Sequence, residues 1–146
     1  MVTQSVSERR QLTNKLIREL LEERREVWSK YCELGSMQPY GTDKPVEIAV
    51  QKFCQILIDY ISLGHFGVMQ RIADGSERRQ RVIHLAEKIY PRIAEATEAA
   101  VQFNDTYESV DGTSLRMSLA HDLSKLGEEL ATRFELEDQL IGSMMS

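Results

Sequence analysis

Two cysteines, three prolines, eight glycines and one tryptophan in 146 residues leave several common architectures without their raw material. Cys32 and Cys54 are too few for a disulfide framework or a zinc cluster, and each reads as a small hydrophobe packed in a reducing compartment. So little glycine and proline argues against a turn-rich β sandwich or a collagen-like fibre. The longest apolar stretch, Phe53 to Met69, is interrupted by Gln55, Asp59, Ser62 and His65, which makes it too polar to span a bilayer. The opening MVTQSVSERR carries no basic start followed by an apolar block, so no secretion signal is read and the cytoplasm is the expected compartment. There is no GxxxxGK[ST], GxGxxG or GxSxG, and no glutamate is followed three residues later by histidine. Phosphate-loop, dinucleotide, nucleophile-elbow and carboxylate-bridged di-metal chemistry all lack their residues, so no enzyme, cofactor or metal is predicted.

What is present is 42% hydrophobic and 28% charged sequence at the length of one ordinary domain. Folding would bury roughly two thirds of the surface of the extended chain. Apolar residues recur at steps of three and four in four blocks. Leu12, Leu16, Ile17, Leu20, Leu21, Val27, Tyr31 and Leu34 define a helix over 7–34, with Ser5 and Glu8 at capping-box spacing and Gly35 as a stop. GSMQPYGTDKP is a turn, and Pro45 opens a second helix over 45–72. Ser76 caps a third over 77–104, whose seam runs Ile83, Ala86, Tyr90, Ile93, Thr97, Ala100 and Phe103, with a kink near Pro91. After the break NDTYESVDGT, the leucines at 119, 123, 126, 130 and 140 carry a fourth helix over 113–144. The spacing predicts an all-α, single-domain antiparallel bundle of four long helices over 1–146, with helix two irregular.

Charge is unevenly distributed: residues 1–42 hold 7 basic and 6 acidic side chains, residues 43–103 hold 8 and 8, and residues 104–146 hold 3 and 9. An acidic last third disfavours nucleic acid or an anionic membrane and favours a basic partner, unless it is simply a solvated helix face. Polar residues inside the apolar pattern are more pointed. Gln55, Asp59, Ser62 and His65, spaced +4, +3 and +3, form one stripe on a helix that is otherwise apolar nearly all round. That stripe is either a narrow wet edge or the wall of a groove with Ile56, Leu63 and Phe66 beside a central carboxylate. The leucine register of helix four, extended, lands on Arg133 and Glu137, and that of helix one lands on Arg24. Charges turned into a bundle need partners, so these three, with Asp59 or His65, are expected to pair there or to lie on the rim with their stems over apolar surface.

Phe53-Cys54-Gln55, Asp59-Tyr60, Ser62 and Gly64-His65-Phe66 resemble the signature of the Rsd/AlgQ family of anti-sigma factors. The likeness continues in Ile89-Tyr90-Pro91-Arg92, Phe103-Asn104-Asp105, Arg133-Phe134-Glu135-Leu136-Glu137-Asp138 and Leu140-Ile141. It implies a monomeric helical bundle that binds region 4 of the primary RNA polymerase sigma factor and keeps it from core polymerase and the -35 promoter element, with no direct nucleic-acid or membrane contact. An adaptor binding a metabolic or stress-signalling protein through the same face is the alternative. The resemblance puts Asp59 at the centre of the sigma-binding face, with Tyr60, Leu63, Phe66, Ile56, Leu16, Leu20 and Arg24 around it, and assigns Ser62, His65, Arg133 and Glu137 to a supporting polar interior. Helix one departs from the family, reading Arg18-Glu19-Leu20 where Asp-Arg-Trp is usual, with its only tryptophan at Trp28. An apolar helix two also leaves weak self-association open.

Overall fold

A computed structural model describes residues 6–40, 44–73, 75, 77–108 and 112–145; the Ser5 and Ser76 caps lie outside them. The described residues form α1 (Val6–Gly35), α2 (Lys44–Ser62), a π-helical segment (Leu63–Met69), α3 (Gln70–Ala73), α4 (Gln80–Tyr107) and α5 (Gly112–Met145), with no strand among them. The four rods of the sequence pattern are there, the second one continued by the π segment and α3. Going round the bundle, α1 lies beside α2, α2 beside α4 and α4 beside α5, while α1 and α5 touch more sparsely.

Neighbours run antiparallel, as side chains reaching across them show. Arg79 at the start of α4 donates from Nη1 to the Met144 carbonyl at the end of α5 (2.6 Å), and Arg92 Nη1 reaches Glu129 Oε2 farther along (2.7 Å). Tyr31 of α1 donates to the Leu123 carbonyl of α5 at 3.0 Å. This last contact requires Gly127, where an added Cβ would overlap the Tyr31 hydroxyl and ring.

The core is one cluster fed by every long helix, including Val27, Phe53, Leu57, Val82, Ala100, Leu119 and Leu130. Phe53 and Phe103 meet edge to face at 5.7 Å between centroids, and Phe103 lies 4.6 Å from Tyr107. Tyr107 also explains why α4 outruns its expected end. Its buried ring is pinned by a hydroxyl that donates to the Asp122 carboxylate and lies 3.0 Å from Ser118 Oγ, so Asn104, Asp105 and Thr106 are the polar face of a last helical turn and not a loop.

Two other expectations shift. Tyr90 leaves the predicted seam for the surface, and Ile89 and Ala96 go inward with Ile93. Cys32 is exposed, whereas Cys54 is buried. α2 turns Val46, Val50, Phe53, Leu57 and Ile61 into the bundle and leaves Ile48 exposed and Ile56 and Ile58 half-buried.

Burial pushes the Cys54 thiol up to about 12 from an ordinary 9.0, and burial followed by the hydrogen bond to Asp122 pushes Tyr107 up to about 12 as well. Both groups stay protonated in the fold where the unfolded chain would ionise them. Their stabilisation is complete below the unfolded values and is lost as pH rises from 9 toward 12. Urea unfolding at about pH 8 and about pH 10 should therefore show a falling midpoint, with a smaller fall in Cys54→Ala. Gly127→Ala should cost about 1–3 kcal/mol in the same assay, despite alanine's better helix propensity, because the Tyr31 ring must move.

Candidate functional site

The fourth helix keeps its leucine register unbroken through two turns that contain an arginine and a glutamate, and the structure buries both. Arg133 is 2% exposed and Glu137 6%. One turn apart on α5, they bond directly: Arg133 Nε donates to Glu137 Oε2 at 3.1 Å. Tyr60 of α2 donates to the same oxygen at 2.6 Å, and the Arg133 guanidinium lies 5.2 Å from the Tyr60 ring centroid. Arg133 Nη1 donates to Thr97 of α4, whose hydroxyl donates in turn to the Ile93 carbonyl at 2.9 Å. Burial, followed by the charge of Glu137, holds the Tyr60 phenol well above its ordinary range, so it remains a donor.

Arg24 completes the network from α1. Its Nη1 is 2.8 Å from Asp138 Oδ1, 3.5 Å from Glu137 Oε1 and 3.3 Å from the Phe134 carbonyl, and the guanidinium lies 5.3 Å from the Phe134 ring centroid. Two arginines and two carboxylates thus offset one another, one pair buried and one at the edge. Among the described residues, Glu137 Oε1 is the buried side-chain oxygen left without a hydrogen bond, with Arg24 Nη1 3.5 Å away.

Gly64 makes room for this cluster. A Cβ there would sit 2.6 Å from Arg133 Nη2, and that guanidinium is tied at two other nitrogens and cannot swing away. The backbone at this point is the π segment, where the Gln70 N–H reaches back five residues to the His65 carbonyl. Widening the helix here brings Gly67 against Leu63 and Leu16, at 3.2 and 3.5 Å from its hypothetical Cβ.

Outside the network, α1 and α2 present a second arrangement at the surface. Asp59 and Gln55 are exposed on α2, with Ile56 and Leu63 half-buried beside them and Leu16 half-buried on α1. Glu23 of α1 stands close enough to feel Asp59. Its carboxyl is raised above the ordinary range by burial first, then by the charges of Glu26, Asp59 and Glu22. Glu23 and Asp59 therefore share the α1/α2 edge, with the charges of Glu22 and Glu26 felt there from the same helix, next to the apolar rim formed by Leu16, Ile56 and Leu63.

The predicted residues divide between these two layers. Arg133 and Glu137 lie in the polar interior, and Asp59, Ile56, Leu63 and Leu16 share the outer face. Tyr60 and Leu20, expected around Asp59, are buried in the core instead, because the Glu137 bond turns the Tyr60 ring inward and Leu20 packs under Gly64. Arg24, expected beside Asp59, goes the other way, since one residue beyond Glu23 is a rotation of about 100° that points it at α5. His65, expected inside, is exposed on the groove between the π segment and α4 with Met69, Tyr90 and Val101, and Ser62 is half-buried. The Phe66 side chain lies outside the described residues. Sequence reasoning missed Asp138, Thr97 and Gly64 as members of the network. Asp138 could have been found from its place beside Glu137, and Gly64 from its place in an apolar helix, whereas Thr97 gave no signal beyond its seam position.

Removing the carboxylate should strand Arg133, so Glu137→Ala is expected to cost about 3–5 kcal/mol of unfolding free energy. Tyr60→Phe should cost about 1–3 kcal/mol through the lost donor. Replacing both ions, as in Arg133→Met with Glu137→Leu, should recover at least half the loss of Glu137→Ala in urea titrations. A Glu137→Ala cost below about 1 kcal/mol would mean that the pair does not hold the bundle.

Comparison with known proteins places this geometry. Residues 1–145 match the family model described as regulator of RNA polymerase sigma(70) subunit, Rsd/AlgQ. A regulator of sigma D from Yersinia enterocolitica is 35% identical over 144 residues, covering 94% of this chain and 85% of the relative. Regulators of sigma D from Salmonella paratyphi A and Salmonella newport are 33% identical over 142 and 149 residues, each covering 94% of this chain and 86% of the relative. No solved structure matches. With nearly its whole length inside the family model and its buried Arg133–Glu137 pair within the motif that suggested the likeness, the chain belongs to the Rsd/AlgQ family.

Proposed function

We propose that the protein is an anti-sigma factor that binds region 4 of the primary RNA polymerase sigma factor through the α1/α2 face and withholds it from core polymerase and promoter DNA. The observation that carries this reading is the placement of Asp59, exposed and close enough to Glu23 of α1 to raise its carboxyl, against the apolar rim of Leu16, Ile56 and Leu63. Family membership supplies the partner class, since the matched family is described as regulating the sigma(70) subunit and the relatives are named regulators of sigma D.

The chemistry of the face suits such a partner. A DNA-binding helix-turn-helix carries arginines and lysines that meet phosphate, and carboxylates at an apolar rim can engage the same side chains. Burial of the leucine and isoleucine rim supplies affinity, and the carboxylates supply orientation and a faster encounter. Asp59 is the acceptor for a partner arginine. Tyr60, Leu20, Arg133 and Glu137 act from beneath, holding α1 and α2 at the angle that keeps the carboxylates together. The activity is stoichiometric binding in the cytoplasm with no bond made or broken.

Calorimetry with isolated region 4 tests this. One-to-one binding per chain is expected, weakening as salt is raised, and Asp59→Ala should weaken it by about 2 kcal/mol or more. Unchanged affinity in that variant would remove Asp59 from the centre, and no binding would favour a different cytoplasmic partner. Because the Glu23 carboxyl is raised, it takes up a proton earlier than an ordinary glutamate as pH falls. A cationic partner favours its ionised form, so affinity should decline from about pH 7 to about pH 5, with a smaller decline in Glu23→Gln.

A further inference from the structure

The opposite flank of α1 is unlike the carboxylate edge. Where α1 meets α5, contact is sparse and apolar side chains remain uncovered. Trp28 is 42% exposed, although it is held in one pose by stacking on Tyr31 (4.9 Å between centroids, 12° between planes) and by the edge of Phe134 at 6.0 Å. Farther along the same seam, Leu21, Ile141 and the 58% exposed Met145 line a groove of about 500 Å³. A half-exposed tryptophan stacked on its neighbours, two turns along α1 from an apolar groove on the same seam, is the composition of an interface centre.

The rims of the seam carry opposite charge. Arg25 is exposed on the α1 side, and Glu135 is exposed on the α5 side. Cross-seam contacts fix which residues share a height: Arg24 stands level with Asp138, and Trp28 with Phe134. Arg25 and Glu135 are therefore within about two residues' rise of each other along the axis, on opposite rims.

We propose that this seam is where a second copy of the chain docks. A two-fold axis lying in the interface and parallel to the helices keeps every residue at its own height and exchanges the rims, so that α1 of each copy faces α5 of the other, antiparallel. Arg25 of each copy then meets the acidic α5 rim at Glu135 of the other. Trp28 falls over the turn that carries the small, exposed Ala131. A basic or an acidic peptide would satisfy one rim and leave the other facing its own sign, whereas a second copy satisfies both. The site is independent of sigma binding, because Asp59 and its neighbours occupy the other flank of α1.

Sedimentation of the full chain, from low micromolar to several hundred micromolar, is expected to show a mass rising from 16.8 kDa toward twice that value. Trp28 is the only tryptophan, so its emission should shift to the blue over the same range. Trp28→Ala should weaken self-association at least tenfold with helical circular dichroism unchanged. Arg25→Glu and Glu135→Arg should each remain monomeric alone, and an equimolar mixture of the two should restore the dimer, since both cross-seam contacts are then of opposite charge. A monomer at every concentration, a dimer indifferent to these variants, or a mixture that stays monomeric would overturn the proposal. So would a monomer whose Trp28 emission shifts only when sigma region 4 is added, which would give the seam to that partner.

Discussion

A guanidinium held in the interior of a helical bundle is tolerable only where an anion and further acceptors meet it, and the placement of Arg133 sets that requirement for three helices at once. α5 contributes Glu137 from the next turn, α4 contributes Thr97, and α2 contributes the Tyr60 ring. Each supplier fixes the rotation of its own helix. Tyr60 can reach Glu137 only if α2 turns that side chain inward, and the same rotation leaves Asp59, one residue earlier, facing out. The surface carboxylate that would meet a partner is thus positioned by a hydrogen bond it does not touch. A bond of this kind adds modestly to stability, since an apolar core of the same volume would hold as well. What it fixes here is the rotation of α2 that turns Tyr60 inward and Asp59 outward.

The long helices were legible in the sequence because their apolar period persists over about thirty residues, far more than chance alternation would sustain. The inward turn of Arg133 and Glu137 was legible for the same reason, as an unbroken rod carries a register forward through charged positions. Legibility failed where period carries no information. α2 is apolar nearly all round, so its wheel could not say that Tyr60 goes in; the second rod was expected to be irregular, but the place and kind of the irregularity were hidden because widening a helix changes hydrogen bonding and not composition. Partners across the bundle were beyond reach as well. Whether Arg24 turns to Asp59 on one side or to Asp138 on the other depends on one residue's rotation, which the spacing of leucines constrains only loosely. At the end of α4, Asn104, Asp105 and Thr106 read as loop because polarity was visible and the pinning of Tyr107 by α5 was not.

α1 is the hinge between the two surfaces of the molecule. Glu23 on one flank joins the carboxylates around Asp59, and Arg24 and Trp28 on the other reach across to α5. Adjacent residues of one helix therefore serve opposite faces. Leu20 goes to the core, and the aromatic weight of the helix lies at Trp28 on the α5 side.

Gly64 and Arg133 are sixty-nine positions apart, yet they occupy a single volume, the space a Cβ would need being filled by the guanidinium. Neither can be exchanged without reference to the other. In descendants of this chain the two should be gained and lost together: a lineage that places a side chain at the glycine will have shortened the arginine first, and one that shortens the arginine opens a cavity which only a larger residue at the glycine can close. The short motif in the middle of the second rod and the longer one near the end of the fourth are, in this sense, two halves of the same word.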